Sequence, residues 1–362
     1  MKNYYAIIMA GGIGSRFWPM STSKHPKQFL DILGSGQTLI QQTYHRMLNF
    51  CLNENIYVVT SSEYEDLVAK QLPQLPKQNI LSEPARKNTA PCVAYASYKI
   101  HQLNPQAITI VAPSDHLIKK EDTFSKAVKS CFQKAEKENC LITLGIKPTR
   151  PDTGYGYIQF KDSDTSEKDK RMFKVKTFTE KPDHEMAKFF IESGDFLWNS
   201  GIFIWSTKSI IAAIEKHDAE LANVFKEGID VYNTAEERAF VSKAYITCKN
   251  ISIDYSVMEK ATNVYVRSSI IGWSDLGTWG SLYTHIGKDK KNNAIVGKNV
   301  INYDSKNCIV HVPKDKLVVI QGLEDYIVVE SDNTLMICKK QDEQQIRNFV
   351  NDVKVLKGDK FV

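Results

Sequence analysis

The sequence predicts an α/β protein, a parallel, doubly wound sheet followed by a small β domain. Three observations carry this. Short, buried apolar runs alternate with segments of helical spacing as far as Lys147. Longer strand-like segments then interrupt the alternation. From about Asn292 helical patterning stops, and short strands punctuated by turn residues take over.

Tyr5–Ala10 is an apolar run that reads as a buried strand. Gly11, Gly12 and Gly14 follow, and glycine lets a backbone turn sharply and approach a ligand. Arg16, Lys24 and Lys27 stand behind them. A strand ending in a glycine turn with three cations suits a polyphosphate, whose oxygens accept from backbone N–H groups. A tight turn with solvated cations is the plain alternative. The turn is not a P-loop, since no Lys-Ser or Lys-Thr stands at the required place. It is not a dinucleotide fingerprint either. Phe17 occupies the third glycine position, and Asp31 comes too early for the ribose acid.

Helical spacing covers Thr38–Asn49, Glu63–Gln71, Thr89–Leu103 and Thr123–Glu138, with Thr89 as an N-cap and Pro91 in the first turn of its helix. Strands are predicted at Asn55–Thr60, Ile80–Leu81, Ala107–Ala112 and Cys140–Ile146. In such sheets ligands lie at the carboxyl ends of the strands, and here the polar motifs follow the strands directly. Gly154–Phe160, Met172–Thr179 and Leu197–Trp205 read as longer, inserted strands. Asp162–Lys170 is charged and reads as a surface hairpin tip. Lys208–Lys243 is helical by periodicity. Turns at Asp304, Pro313, Gly322 and Asp332 divide the last strands, and Gln341–Asp352 is an amphipathic helix. The division expected is 1–285 for a catalytic domain and 286–362 for the small β domain.

Composition bounds the rest. With 42% hydrophobic and 25% charged residues, the chain is an ordinary globular one. Its net charge of +5 suits small anions and does not argue for nucleic acid. Seven scattered cysteines without a C-x-x-C pair read as reduced thiols in the cytoplasm. A core strand begins within a few residues of Met1, which leaves no room for a signal peptide, and no apolar run is long enough to span a membrane.

The segment GGIGSRFWPMSTSKHPKQF, residues 11–29, resembles the signature of the mannose-1-phosphate guanylyltransferases, which are sugar-nucleotidyltransferases. The likeness recurs in register. Glu83-Pro84-Ala85-Arg86-Lys87-Asn88-Thr89-Ala90-Pro91 resembles the family's second block, with Lys87 at the family's arginine and Arg86 beside it. Either cation is left as a candidate for the triphosphate. Pro113-Ser114-Asp115-His116 and Trp273-Ser274-Asp275-Leu276-Gly277-Thr278-Trp279 resemble the blocks whose aspartates hold metal. Gly154–Ile158, Phe178–Pro182, Trp198–Phe203 and Ile253–Lys260 resemble the sugar-phosphate blocks.

The resemblance implies a Rossmann-like, doubly wound mixed sheet, with a short left-handed β-helix at the C-terminal end and a homodimer. It implies transfer of GMP from GTP to α-D-mannose 1-phosphate, with Mg²⁺, giving GDP-mannose and pyrophosphate. Arg16, Lys27 and Lys181 are the implied catalytic cations. Ala10, Gly11, Gly12, Gly14, Ser15, Glu83, Lys87, Asn88, Thr89 and Ser114 are the implied nucleotide site. Gly156, Glu180, Lys181, Asn199 and Asp254 are the implied sugar-phosphate site, and Asp115 and Asp275 the metal ligands. A carboxylate at Glu83 suits guanine, which offers N1–H and its 2-amino group side by side. Asp254 either touches the sugar or caps the helix it begins. His116 reads as a structural residue, and Trp198 and Phe203 as packing. Two rival functions remain, transfer to another sugar 1-phosphate and a non-catalytic regulatory subunit that binds GDP-mannose.

Overall fold

A computed structural model describes residues 2–161 and 169–362. The segment 162–168, which carries most of the predicted hairpin tip, lies outside the described residues. In chain order the first elements are β1 (Tyr4–Met9), α1 (Leu39–Met47), β2 (Ile56–Ser61), α2 (Glu65–Gln71), β3 (Ile80–Glu83), α3 (Thr89–Leu103) and β4 (Ile108–Pro113). Then come β5 (Leu117–Ile118), α4 (Glu121–Ala135), β6 (Leu141–Ile146), β7 (Tyr157–Phe160), β8 (Met172–Thr179), α5 (His184–Ser193) and β9 (Phe196–Ser206). The helices α6 (Thr207–His217), α7 (Ala219–Lys226) and α8 (Glu237–Thr247) precede β10 (Val264–Ser268), β11 (Trp273–Ser274) and α9 (Trp279–Tyr283). The chain continues with β12 (Ala294–Val296), β13 (Asn299–Tyr303), β14 (Ile309–His311), β15 (Leu317–Gln321), β16 (Tyr326–Ser331), β17 (Thr334–Lys339) and α10 (Ile346–Lys357).

Two compact units result. One comprises Met1–Gly11, Thr43–Ser114 and Ile118–Trp273, and the other Gly12–Gln42, Asp115–Leu117 and Ser274–Val362. The first holds a nine-stranded sheet in the order β3-β2-β1-β4-β9-β6-β10-β8-β7. β1 pairs in parallel with β2 and β4, and β2 with β3. Residues Tyr5–Ile8 of β1 are buried, as a central strand with both faces covered demands. The carboxyl ends of β1, β3 and β4 therefore share one edge of the sheet.

The sheet is mixed, as the family resemblance implied, and not parallel throughout as the alternation of strands and helices predicted. β9 enters between β4 and β6 and runs antiparallel to both. Its apolar stretch Ile202–Trp205 is buried in the centre of the sheet. A long apolar strand is thus driven into the core, where its backbone groups are paired on both sides. The long helical stretch predicted at Lys208–Lys243 is three helices. Asp218 ends α6 and caps α7 by accepting from the Leu221 N–H at 3.2 Å. A turn with Asn233 at φ 66° separates α7 from α8. Asn88, not Thr89, caps α3, accepting from the Thr89 N–H at 2.9 Å.

In the second unit β12, β14 and β16 stack in parallel, with Ala294, Ile309 and Ile327 in register. β13 and β15 form a second parallel face. This is a short β-helix-like coil, closed by β17 running antiparallel to β16. The final helix lies a turn later than its periodicity predicted, because Lys340–Gln345 winds as a 3₁₀ turn before α10. Phe17 and Trp18 of the glycine-turn segment share one apolar core with Trp279, Ile309, Ile327 and Ile346. The glycine-turn segment is thus built on the β coil and α10. No helix among the described residues is long and apolar enough to cross a membrane.

Candidate active site

The second unit carries a polar cavity of about 230 Å³ at the glycine turn. Gly14, Ser15, Arg16, Lys27, Asp115 and Asp275 all line it. Gly14 sits at φ 71°, and a Cβ there would meet the Lys27 Cβ at 2.4 Å. Only glycine fits so close to the lysine at that backbone angle. The turn is braced from behind. Lys27 N–H donates to the Ile13 carbonyl at 3.2 Å, Ser21 Oγ to the same carbonyl at 2.6 Å, and Gln28 Nε2 to the Gly12 carbonyl at 2.8 Å.

Lys27 is the centre of this cavity. Its side chain is 4% exposed, and Nζ donates to Asp115 Oδ2 at 2.8 Å and to the Asp275 carbonyl at 2.6 Å. Its ammonium also lies 5.5 Å from the Phe17 ring centroid. Burial opposes ionisation of Asp115, yet Lys27 and, beside it, His116 hold its pKa below the ordinary carboxylate range. Asp275 Oδ1 accepts from the Gly277 N–H at 3.0 Å. His116 lines the cavity too. The predicted metal ligands thus face one cavity. Their donor set is all oxygen, two carboxylates, which suits Mg²⁺ completing its shell with phosphate oxygens. Among the described residues no cluster of three or more His, Cys, Asp or Glu side chains could hold a metal.

In the first unit, Ala10, Gly11, Glu83 and Ser114 lie at the shared edge of the parallel strands. The Ala10 N–H donates to the Val59 carbonyl and the Ser114 N–H to the Met9 carbonyl. Glu83 ends β3 and is 6% exposed. Its Oε1 accepts from the Tyr245 hydroxyl at 2.8 Å, and its Oε2 lies 3.4 Å from where a Gly11 Cβ would stand. Burial pushes the Glu83 carboxyl up to about 7, against the opposing hydrogen bond from Tyr245. Thr89 Oγ1 accepts from the Ile253 N–H at 2.9 Å, and the Lys87 carbonyl from the Ile251 N–H at 3.3 Å. Arg86 is engaged elsewhere, with Glu63 at 2.8 Å and the Tyr64 hydroxyl at 2.6 Å.

The predicted sugar residues also come together. A Cβ on Gly156 would meet Glu180 Oε2 at 2.2 Å. The Gly156 carbonyl accepts from the Asn199 N–H at 2.8 Å. Asn199 Nδ2 donates to Asp254 Oδ1 at 2.9 Å. Burial, then the neighbouring Glu180 carboxylate, pushes Asp254 up to about 7. Asp254 caps no helix. It begins a π-helical turn whose N-cap position is Ile253. Lys181 is exposed, takes φ 49° and pairs with Glu180. Trp198 and Phe203 are buried, as packing residues should be.

Three residues escaped the sequence reading. Tyr245 reaches Glu83 from α8, 162 positions away, and only a buried tyrosine on an amphipathic helix marks it. Thr143 fixes Asn199 by donating to Oδ1 at 3.0 Å. Arg347, on α10, lines the Lys27 cavity. No local spacing signals the last two.

The buried carboxyl gives a stability prediction. Glu83 titrates at about 7 in the fold against its usual 4.5. Its contribution to stability is present below the unfolded value and lost as pH rises through the folded one. Glu83→Gln does not titrate. Its stability relative to wild type should rise by about 3 kcal/mol between pH 4.5 and pH 8. Paired urea denaturation curves read this, and a difference independent of pH contradicts it.

Comparison with known proteins agrees with this geometry. Residues 5–292 match the profile of the family described as nucleotidyl transferase. Residues 298–353 match the mannose-phosphate isomerase/GMP-like β-helix domain. The chain is 35% identical over 350 residues to the alginate biosynthesis protein AlgA of Pseudomonas aeruginosa, covering 96% of this chain and 71% of that protein. It is 35% identical over 356 residues to a mannose-1-phosphate guanylyltransferase of Escherichia coli, covering 95% and 74%. A crystal structure described as mannose-1-phosphate geranyltransferase from Thermus thermophilus superposes with a TM-score of 0.86 at 27% identity, over 97% of this chain and 99% of that one. The chain belongs to the nucleotidyl transferase family, among the mannose-1-phosphate guanylyltransferases.

Proposed function

We propose that this protein joins GTP and α-D-mannose 1-phosphate into GDP-mannose, releasing pyrophosphate. The cavity that gathers Arg16, Lys27, Asp115 and Asp275 on a glycine turn is the observation that carries this reading. An oxygen of the sugar phosphate attacks the α-phosphorus of GTP in line, and the bond to the β-phosphate oxygen breaks. The attacking oxygen is already anionic near neutral pH, so the protein's task is positioning and charge neutralisation.

In this reading the N–H groups of Gly12, Gly14 and Ser15 hold phosphate oxygens, and Arg16 faces the departing pyrophosphate. Lys27 has three N–H donors, of which Asp115 and Asp275 take two. The third serves the phosphate being transferred. Asp115 and Asp275 hold Mg²⁺, which offsets phosphate charge when bound. Lys87, with Arg86 drawn to Glu63, is the cation for the triphosphate from the second block. Glu83 accepts from guanine N1–H and its amino group. Glu180, Asn199 and the Gly156 backbone bind mannose hydroxyls. Asp254, hydrogen-bonded to Asn199, belongs to the same set, and Lys181 meets the sugar phosphate. In this division 1–285 carries the chemistry and 286–362 braces the glycine turn. Seven buried cysteine thiols fit a reducing cytoplasm.

The protein should release pyrophosphate from GTP only with mannose 1-phosphate and Mg²⁺ both present. Asp115→Ala and Asp275→Ala should each lower kcat by about 10²–10³. Turnover in EDTA contradicts the metal site, and faster turnover with glucose or fucose 1-phosphate contradicts the sugar assignment. Base selection tests Glu83. Adenine offers neither N1–H nor a 2-amino group, so Glu83→Gln should lower the GTP/ATP ratio of kcat/KM about tenfold. An unchanged ratio assigns base reading to other groups.

The homodimer we propose uses the exposed face of β13 and β15, where Ile301, Tyr303, Leu317 and Val319 are 44–67% exposed. Ile301 faces Val319 across the pair, which makes an apolar ladder of the kind that marks interfaces. Sedimentation equilibrium should give twice the chain mass for wild type and the single-chain mass for a Leu317→Glu/Val319→Glu variant. A monomeric wild type, or a variant that stays dimeric, contradicts this.

A further inference from the structure

We propose that Arg347, on the C-terminal helix α10, binds the pyrophosphate part of the nucleotide beside Arg16. This rests on reading the Lys27 cavity as the triphosphate site. Three observations lead to it. Arg347 lines that cavity together with Arg16, Asp115 and Asp275. Its helix is held there by packing. Ile346, Phe349, Val350 and Val353 recur at helical spacing and join the apolar core that contains Phe17 and Trp18. The backbone at Arg347 is thus set beside the buried stripe of a helix seated on the Ser15–Phe17 turn, with the side chain exposed toward the cavity. Two further bonds tie this end of the chain to its surroundings. Glu343 Oε2 accepts from the Gly280 N–H at 2.6 Å, and the Phe361 carbonyl accepts from Trp18 Nε1 at 2.7 Å.

Charge supplies the third observation. Arg16, Lys27 and Arg347 face Asp115 and Asp275 across one cavity, and Lys27 is already paired with Asp115. Without Arg347 the two remaining cations only balance the two carboxylates. With it the protein groups of the cavity carry one net positive charge before any metal binds, which favours an anion such as a polyphosphate. No carboxylate pairs with Arg347 among the described residues. A guanidinium presents a planar fork that matches two phosphate oxygens at once, and an ammonium does not. The small β domain would therefore do more than brace the turn, since it contributes a group that touches the leaving pyrophosphate.

The test is magnesium pyrophosphate binding by titration calorimetry on the full chain, for wild type, Arg347→Met and Arg347→Lys. Methionine keeps an apolar stem for packing and removes the charge. We expect Arg347→Met to weaken pyrophosphate binding by about 10- to 100-fold, the loss of a charge-assisted hydrogen bond, and lysine to restore part of it. KM for mannose 1-phosphate should change less than twofold, whereas a merely structural role would move both substrates together. Wild-type affinity for pyrophosphate in Arg347→Met, or equal losses for both ligands, overturns the proposal. A wild-type protein that binds pyrophosphate through Arg347 yet makes no GDP-mannose would refute the proposed reaction and leave Arg347 standing.

Discussion

The structure turns on one buried ammonium. Lys27 donates to Asp115 from the end of β4 and to the backbone of Asp275, 248 positions further along the chain. An isolated charge so deeply buried is costly, and a partner of opposite sign with good hydrogen-bond geometry offsets that cost. Asp115 is in turn kept ionised by Lys27. The pair is therefore mutually dependent, and it determines where the two candidate metal ligands sit. Gly14 at positive φ leaves room for the lysine stem, so the glycine of the turn and the cation behind it are one device.

The same logic, with opposite sign, operates in the first unit. Glu83 is buried and Asp254 partly buried, neither with a cation in hydrogen-bond contact, and desolvation lifts both to about 7. Each accepts a hydrogen bond from a neutral neighbour, Tyr245 or Asn199. A neutral donor compensates less than an ammonium does. Asp115, facing a cation, is instead held ionised. Desolvation acts on all three, and the neighbour sets the direction in which each pKa moves.

Much of this was legible in the sequence because it is local. The glycine turn, the strand-end position of Glu83 and the aspartates after β4 and in β11–α9 are motifs whose spacing implies their geometry. The burial of Tyr5–Ile8 follows from its unbroken apolar run. What escaped depends on distant pairing. Nothing near Leu197–Trp205 says that β9 will run antiparallel through the middle of the sheet, since its partners β4 and β6 lie elsewhere in the chain. Tyr245 and Arg347 sit on amphipathic helices like many others, and only the folded core shows which residues they face. The cap of α3 shifted by one residue because Asn88 tolerates positive φ better than threonine does.

The most direct test of the proposed site is a crystal structure with GDP-mannose and Mg²⁺ bound. The metal is expected on Asp115 and Asp275 and the diphosphate on the N–H groups of Gly12–Ser15. The guanine N1–H edge is expected on Glu83 and the mannose hydroxyls on Glu180 and Asn199. A diphosphate bound away from the Lys27 cavity, or a metal held by neither aspartate, would contradict it.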